Sequence, residues 1–362
     1  MKTCGLILLL ASVAVAQTTR PVTVVSPEVH PDRTVTFRIR APKAAEVTLT
    51  GDWIVVGKEP HLVRDEQGVW SITVGPLEPG SAIYSFTVDG TAMADPVNPR
   101  IKLRAQTSAS FVDVPGDGTE LFVPRDVPHG VVAINWQKSK VLDGQTRQFR
   151  VYTPPGYDQN PTARYPVLYL LHGSNDTAAG WTDAGQANII LDNLIAEKKV
   201  VPMIVVMPWG HAVPYGQPNN DPTFERYLLQ DVMPAAEKNY RVAPGRENRA
   251  IFGLSMGGGQ ALSIGFGHVD LFSAIAGFSA AIPRNFETQF KSIVDDPNGT
   301  NANLKMVWIG AGKQEPAFAG CQKFSQMLTS HGIKNTFFAT DGLHNFTLWR
   351  KCLIETAPLL FH

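Results

Sequence analysis

The sequence predicts an α/β fold with a mostly parallel sheet, preceded by a small immunoglobulin-like β-sandwich. Three observations predict it. From about residue 22 to 113, short segments alternate polar and apolar residues between turn signals, as half-buried antiparallel strands do. From about residue 129 to 362, continuous apolar runs alternate with helical stretches, as strands buried on both faces do when helices cover them. Between the two, Pro115, Gly116, Gly118, Pro124 and Pro128 mark residues 114–128 as a linker.

The chain has 362 residues, no formal net charge and 44% hydrophobic residues. That is enough for a sizeable core and about two domains. The absence of any basic run argues against nucleic acid as a partner. At the N-terminus, Lys2, the apolar run Leu6 to Ala16 and the small-residue site Ala14-Val15-Ala16 read as a signal peptide over residues 1–16. The run is short for a membrane span, so the mature chain is expected to be secreted or periplasmic, with no membrane association after cleavage. Two cysteines then remain, Cys321 and Cys352, either paired or as two separate buried thiols.

In the first half, strands are expected at Thr34 to Ile39, Glu46 to Thr50, Val69 to Val74 and Ala82 to Val88. Ala41-Pro42-Lys43, Pro79-Gly80 and Asp89-Gly90 supply turn chemistry between them. Gly51-Asp52-Trp53, Asp65 to Trp70, Tyr84 to Gly90 and Asp95-Pro96-Val97-Asn98-Pro99 resemble carbohydrate-binding module family 48. The resemblance implies an immunoglobulin-like fold more firmly than sugar binding. Trp70 is expected in the core, while Trp53 is open to either a core or a sugar-facing role.

In the second half, strands are expected at Gln148 to Tyr152, Tyr165 to Leu171, Met203 to Met207, Arg249 to Gly253, Lys305 to Gly310 and Thr336 to Ala339. Helices are expected near Asn188 to Lys198, Phe224 to Asn239, Ala317 to Ser330 and Leu348 to Leu360.

Gly253-Leu254-Ser255-Met256-Gly257 sits between one of these strands and the helix opened by Gly257-Gly258-Gly259. Strand, sharp turn and helix form the context of a nucleophile elbow. Ser255 is therefore the candidate nucleophile, and a serine needs a base. The α/β-hydrolase order places the acid and then the histidine after the serine. His344 lies in the loop after the last strand and is the candidate base. His331 reads as a helix cap instead. Glu315 is the only carboxylate in the loop Ala311 to Pro316, and is the candidate third member. The developing oxyanion needs two backbone N–H groups: Met256 for one, and Gly173 or Ser174 for the other. His172 reads as a hydrogen-bonded structural histidine. Trp181, Trp209, Tyr215 and Phe346 are the aromatics expected to line a substrate pocket. No zinc spacing, phosphate-cradling loop or EF-hand pattern occurs, so neither metal nor cofactor is implied.

Taken together, several stretches of the second half resemble carbohydrate esterase family 1, the esterase D-like branch of the α/β-hydrolases. They are Asp126-Val127-Pro128-His129-Gly130, Val151 to Tyr157, Pro166 to Gly173, Trp181, Ala187 to Ala196, Pro202 to Pro208, Gly253 to Gly259, and His344 with Trp349-Arg350. The resemblance implies a feruloyl or acetyl xylan esterase working on a polysaccharide ester by a Ser-acid-His mechanism. One departure stands out: Gly312-Lys313-Gln314-Glu315 places glutamate where the family usually has aspartate, so the loop must differ to absorb one methylene. The rival readings are a siderophore (enterochelin-type) esterase and a sugar-binding protein with an inactive hydrolase half.

Overall fold

The computed structural model describes residues 23–362. The expected signal peptide lies outside the described residues. The first half is a sandwich of two antiparallel sheets. One contains Val35–Arg40 against Val69–Val74, and the other contains Val47–Gly51, Gly80–Val88 and Ser108–Val114. The inward residues of these strands, among them Val35, Phe37, Leu49, Tyr84 and Phe86, form one core, as alternation requires. Trp70 is in that core and its indole N–H donates to Ala41 O. Trp53 is half-buried, stacked on Phe37 at 5.6 Å between ring centres.

The second half is an eight-stranded sheet. In chain order its strands are β1 (Val131–Lys138), β2 (Thr146–Thr153), β3 (Val167–Leu171), β4 (Ile204–Pro208), β5 (Arg249–Leu254), β6 (Ala274–Phe278), β7 (Met306–Gly312) and β8 (Thr336–Thr340). They lie side by side in the order β1-β2-β4-β3-β5-β6-β7-β8. The pairs from β4 to β8 are parallel, while β1 and β2 are antiparallel additions at one edge. This is the α/β-hydrolase fold with a mostly parallel sheet that the sequence predicts. Every residue of β3, β4 and β6 is buried, because a layer of apolar packing covers each face of the sheet.

Two strands escape the sequence pattern. β1 is an edge strand with exposed Val131, Ile134 and Trp136, so its burial does not follow a clean two-residue period. β6 reads Ala-Ile-Ala-Gly-Phe, and its small residues carry little strand propensity. It is a strand because two neighbours pair with it. The helix expected from Phe224 to Asn239 begins earlier and is interrupted. It runs Asn220–Tyr227, a π-helical turn Leu228–Val232, then Met233–Asn239. Pro234 has no N–H to donate and its ring crowds the carbonyl four residues back, and the wider turn lies immediately before it.

Four helices position the site: α1 (Ala187–Ala196), α2 (Ser255–Gly267), α3 (Phe318–Ser330) and α4 (Phe346–Thr356). Cys321 on α3 and Cys352 on α4 are separate buried thiols rather than a disulfide, and burial raises the pKa of both. Among the described residues no helix is long and apolar enough to cross a membrane.

The two halves are tied together by polar contacts. The connecting segment is itself docked: Asn193 on α1 donates to Glu120 O, Leu121 O and Val123 O. Arg350 on α4 is buried and donates to Ser81 O in the sandwich and to Ala184 O in the second half. Its guanidinium also lies 4.8 Å from the centre of the Phe122 ring. Replacing Arg350 with Met keeps much of the volume but leaves both carbonyls without that donor. We expect a loss of about 3 kcal/mol, read as a lowered denaturation midpoint with activity per folded molecule retained at low denaturant.

Candidate active site

The turn between β5 and α2 sets the site. Ser255 has φ of 52°, a left-handed conformation that costs a non-glycine residue of order 1–3 kcal/mol. The flanking glycines explain why the turn closes. A Cβ on Gly253 would sit 2.1 Å from Gly257 O, and one on Gly257 would sit 2.4 Å from His172 O. Any larger residue would push the turn open. The strain places the Ser255 side chain at the C-terminal edge of the sheet, at the N-terminus of the 13-residue α2, where the helix dipole favours negative charge.

The three side chains that the sequence singles out are brought into one line. Ser255 Oγ is 3.0 Å from His344 Nε2, and His344 Nδ1 is 2.6 Å from Glu315 Oε2. A carboxylate only accepts, so Nδ1 carries the proton and Nε2 presents a lone pair to the hydroxyl. The Glu315 side chain has no solvent exposure. Its second oxygen accepts from Ser279 Oγ and from Gly312 N–H, each at 2.7 Å, and Trp349 Nε1–H donates in turn to Ser279 Oγ at 2.9 Å. The extra methylene of glutamate is absorbed by a turn in which Glu315 N–H donates to Gly312 O. The side chain thus folds back toward the end of β7 before it reaches the histidine. Asp341 is exposed and faces Lys313 and Gln314 instead. His331 caps α3 and faces Glu287 at 2.8 Å.

Ser279 is the partner that sequence reasoning missed, and Trp349, which the sequence resemblance includes beside His344, had no role assigned to it. Ser279 also has a left-handed backbone, with φ of 48°, and follows β6, the strand without a sequence signature. Nothing local marks it.

Beside Ser255, the loop after β3 carries Gly173 and Ser174. A Cβ on Gly173 would sit 3.3 Å from Ser255 Cβ, so the backbone passes directly over the serine. His172 is buried, and Gly210 N–H donates to its Nε2 at 2.8 Å. The proton therefore lies on Nδ1, which donates to Gly173 O at 2.8 Å. Asp176 N–H donates to the same carbonyl. In a trans peptide the C=O and N–H point opposite ways, so fixing Gly173 O from two sides fixes the direction of Ser174 N–H. Among the described residues neither Gly173 N–H nor Ser174 N–H donates to the protein.

The site opens into a cleft of about 780 Å³ lined from both halves of the molecule. Ser255, His344, Phe346 and Trp349 form one side, and the sandwich contributes Ile54, Val55, Val56, Lys102 and Arg104 on the other. Of the four aromatics expected at a substrate pocket, only Phe346 lines this cleft. Its ring is 3% exposed and packs edge-on against Trp181 and Trp349. Trp181 is a correction. It is 1% exposed with its indole N–H on Leu171 O, because it stands beneath the loop after β3 and plugs the core there. Trp209 is half-buried and Tyr215 is exposed beside His211; neither lines the cleft. Among the described residues no group of three or more His, Cys, Asp or Glu side chains could hold a metal ion.

Comparison with known proteins agrees with this architecture. The Esterase family model matches residues 139–360, and the model for carbohydrate-binding module 48 (isoamylase N-terminal domain) matches residues 25–104. The chain belongs to the esterase family and carries a family 48-like module before it. An endo-1,4-beta-xylanase/feruloyl esterase of Xylanibacter ruminicola is 30% identical over 349 residues, covering 92% of this chain and 46% of that protein. The chain spans about half the length of the curated relatives it matches over most of its second half. Among solved structures, a ferulic acid esterase is 29% identical, with a TM-score of 0.56 over 64% of this chain and 97% of its own. The enterobactin esterase FES of Shigella flexneri, solved in the presence of enterobactin, shares 17% identity. Its TM-score is 0.67 over 91% of this chain and 92% of its own, a likeness of fold.

Burial lowers the pKa of His172 from 6.5 to about 4. The folded pKa is depressed, so the stabilisation from keeping this ring neutral is full above pH 6.5 and is lost as the pH falls toward 4. We expect the chain to lose about 3 kcal/mol from this source across that window. A thermal-denaturation series against pH reads it, and His172→Gln should flatten that segment of the curve.

Proposed function

We propose that this chain is a secreted or periplasmic serine carboxylic-ester hydrolase that removes acyl groups, feruloyl first and acetyl next, from plant-wall polysaccharide such as arabinoxylan. The observation that carries the reading is the hydrogen-bonded line Ser255–His344–Glu315, at 3.0 and 2.6 Å, at the mouth of a cleft. The names of the xylanase/feruloyl esterase and of the ferulic acid esterase support the substrate class.

The chemistry follows from the geometry. His344 Nε2 takes the Ser255 proton as Oγ attacks the ester carbonyl. Glu315 holds the ring in the tautomer with Nδ1–H and stabilises the imidazolium that forms. Met256 N–H, at the start of α2, and Ser174 N–H hold the oxyanion, with Gly173 N–H as the neighbouring candidate. Collapse of the intermediate expels the sugar hydroxyl, which takes its proton from His344. Water, activated by the same histidine, then releases the acid and restores Ser255. Phe346, with the apolar Ile54, Val55 and Val56 opposite, offers walls suited to an aromatic acid.

A second reading, a siderophore esterase, is kept because the fold of the enterobactin esterase FES extends over both halves of the chain, as the match to the xylanase/feruloyl esterase also does. Incubation with feruloylated arabinoxylan, acetylated xylan and a catecholate trilactone separates the two. Ferulate release faster than acetate release supports the proposal, and activity confined to the trilactone overturns it.

Ser255→Ala should lower kcat on an aryl ester by roughly 10⁴-fold or more; unchanged turnover would remove Ser255 from its role. Glu315→Gln should cost about 10³- to 10⁴-fold in kcat with KM little changed, because the amide can donate to Nδ1 and select the wrong tautomer. Steady-state kinetics on the purified variants checks both.

A further inference from the structure

Lys102 is an unremarkable residue in sequence, one lysine in the short sandwich strand Ile101–Leu103. In the fold it is buried, and it crosses the cleft. Its Nζ donates to Asp176 Oδ1 at 2.8 Å, with 5% and 7% of the two side chains exposed. The ammonium also reaches Leu103 O at 3.3 Å and lies 5.6 Å from the centre of the Phe346 ring.

Asp176 belongs to the loop that carries Gly173 and Ser174. Its backbone N–H donates to Gly173 O, and its Oδ1 accepts from Thr177 N–H at 2.8 Å. The loop leaves room for this carboxylate: a Cβ on Gly180 would sit 2.3 Å from Asp176 Oδ2. One buried carboxylate thus joins the ammonium of the sandwich to the Gly173–Ser174 peptide, whose carbonyl Asp176 N–H helps to fix beside the serine. A buried ion pair is costly to break from one side, because the remaining charge is left uncompensated. Without Lys102, the Asp176 carboxylate gains by turning toward water, and the turn that fixes Gly173 O turns with it.

We propose that Lys102 is a positioning residue of the hydrolytic site, through which the N-terminal module sets the oxyanion loop by way of Asp176. The module is then a working wall of the active site as well as any anchor to sugar. This rests on the esterase reading above, with Ser174 or Gly173 N–H as an oxyanion donor. A second contact on the opposite flank has the same character: Asn345, beside His344 and at the cap of α4, donates to Asp52 O in the sandwich at 2.9 Å.

The test uses the full chain and p-nitrophenyl acetate, a substrate too small to need a polysaccharide anchor. Active sites are counted by end-point labelling with a fluorophosphonate, so that kcat is expressed per competent serine and misfolded molecules drop out. Lys102→Met should lower kcat per titrated site about 10- to 100-fold with KM within about twofold, since the oxyanion contact strengthens only in the transition state. The rate of phosphonylation should fall in parallel, because the tetrahedral phosphoryl oxygen uses the same donors. Lys102→Arg, which keeps the charge, should regain most of the loss. Asp176→Asn, nearly isosteric and milder for folding, should reproduce the kcat defect. If Lys102→Met only lowers the thermal midpoint or the titrated fraction, with kcat per site unchanged, the pair is interdomain adhesion and the proposal fails. If Ser255→Ala also retains wild-type turnover, the esterase reading itself fails; turnover lost in Ser255→Ala but normal in both Lys102→Met and Asp176→Asn sinks the positioning role alone.

Discussion

The strained turn at Ser255 is the constraint on which the rest of the site depends. A side chain in the left-handed region, between a buried strand and a helix, can only be held there by surroundings that overdetermine it. Those surroundings are the centre of the parallel sheet. β5 is paired on both sides, by β3 and β6, and the elbow glycines let α2 lie against the loop after β3. The neighbouring strands then deliver the other groups to the same edge. β3 brings Gly173 and Ser174, β6 brings Ser279, β7 brings Glu315 and β8 brings His344. A parallel sheet places all of its C-terminal ends together, so five loops far apart in sequence converge without any of them being long.

Around Glu315 the design is one of exhaustive satisfaction. A carboxylate removed from water is tolerable only when its lone pairs are engaged. Here Ser279, Gly312 N–H and His344 engage both oxygens, and Trp349 locks Ser279. This arrangement fixes the glutamate rotamer, and through it the histidine ring, more rigidly than a solvated carboxylate would. The same logic recurs across the cleft. His172 has both nitrogens engaged, and Asp176 has the Lys102 ammonium and a backbone donor. Both act on the single carbonyl of Gly173. The sandwich is therefore not suspended on a free tether; Asn193, Arg350, Lys102 and Asn345 bind it and its connecting segment to the hydrolase half at four places.

How much of this was legible beforehand follows from how local each signal is. The elbow is legible because strand, turn glycines and helix are contiguous. His344 and Glu315 are legible because chain order and loop position restrict the candidates to very few. Trp181 misleads for the same reason: it stands just after the loop beside the site, in the short helix Gly180–Asp183, and only packing reveals that its ring faces the core. β6 and Ser279 are invisible because Ala and Gly carry no periodic signal, and a strand that exists through its neighbours cannot be read from itself.

The sequence alone pointed to the fold class, the candidate nucleophile and its two candidate partners, because hydrophobic period, turn chemistry and chain order are written within a few residues of each position. The tertiary structure alone decided how glutamate fits, that Ser279 and Trp349 hold it, that Gly173 O is fixed from two sides, and that Lys102 faces the cleft rather than solvent. Each of these depends on groups distant in sequence that meet only once sheet order and domain docking are set. The Lys102–Asp176 pair spans 74 residues and the Asn345–Asp52 contact spans 293. No local pattern carries information over such separations, whereas the geometry of two packed layers does.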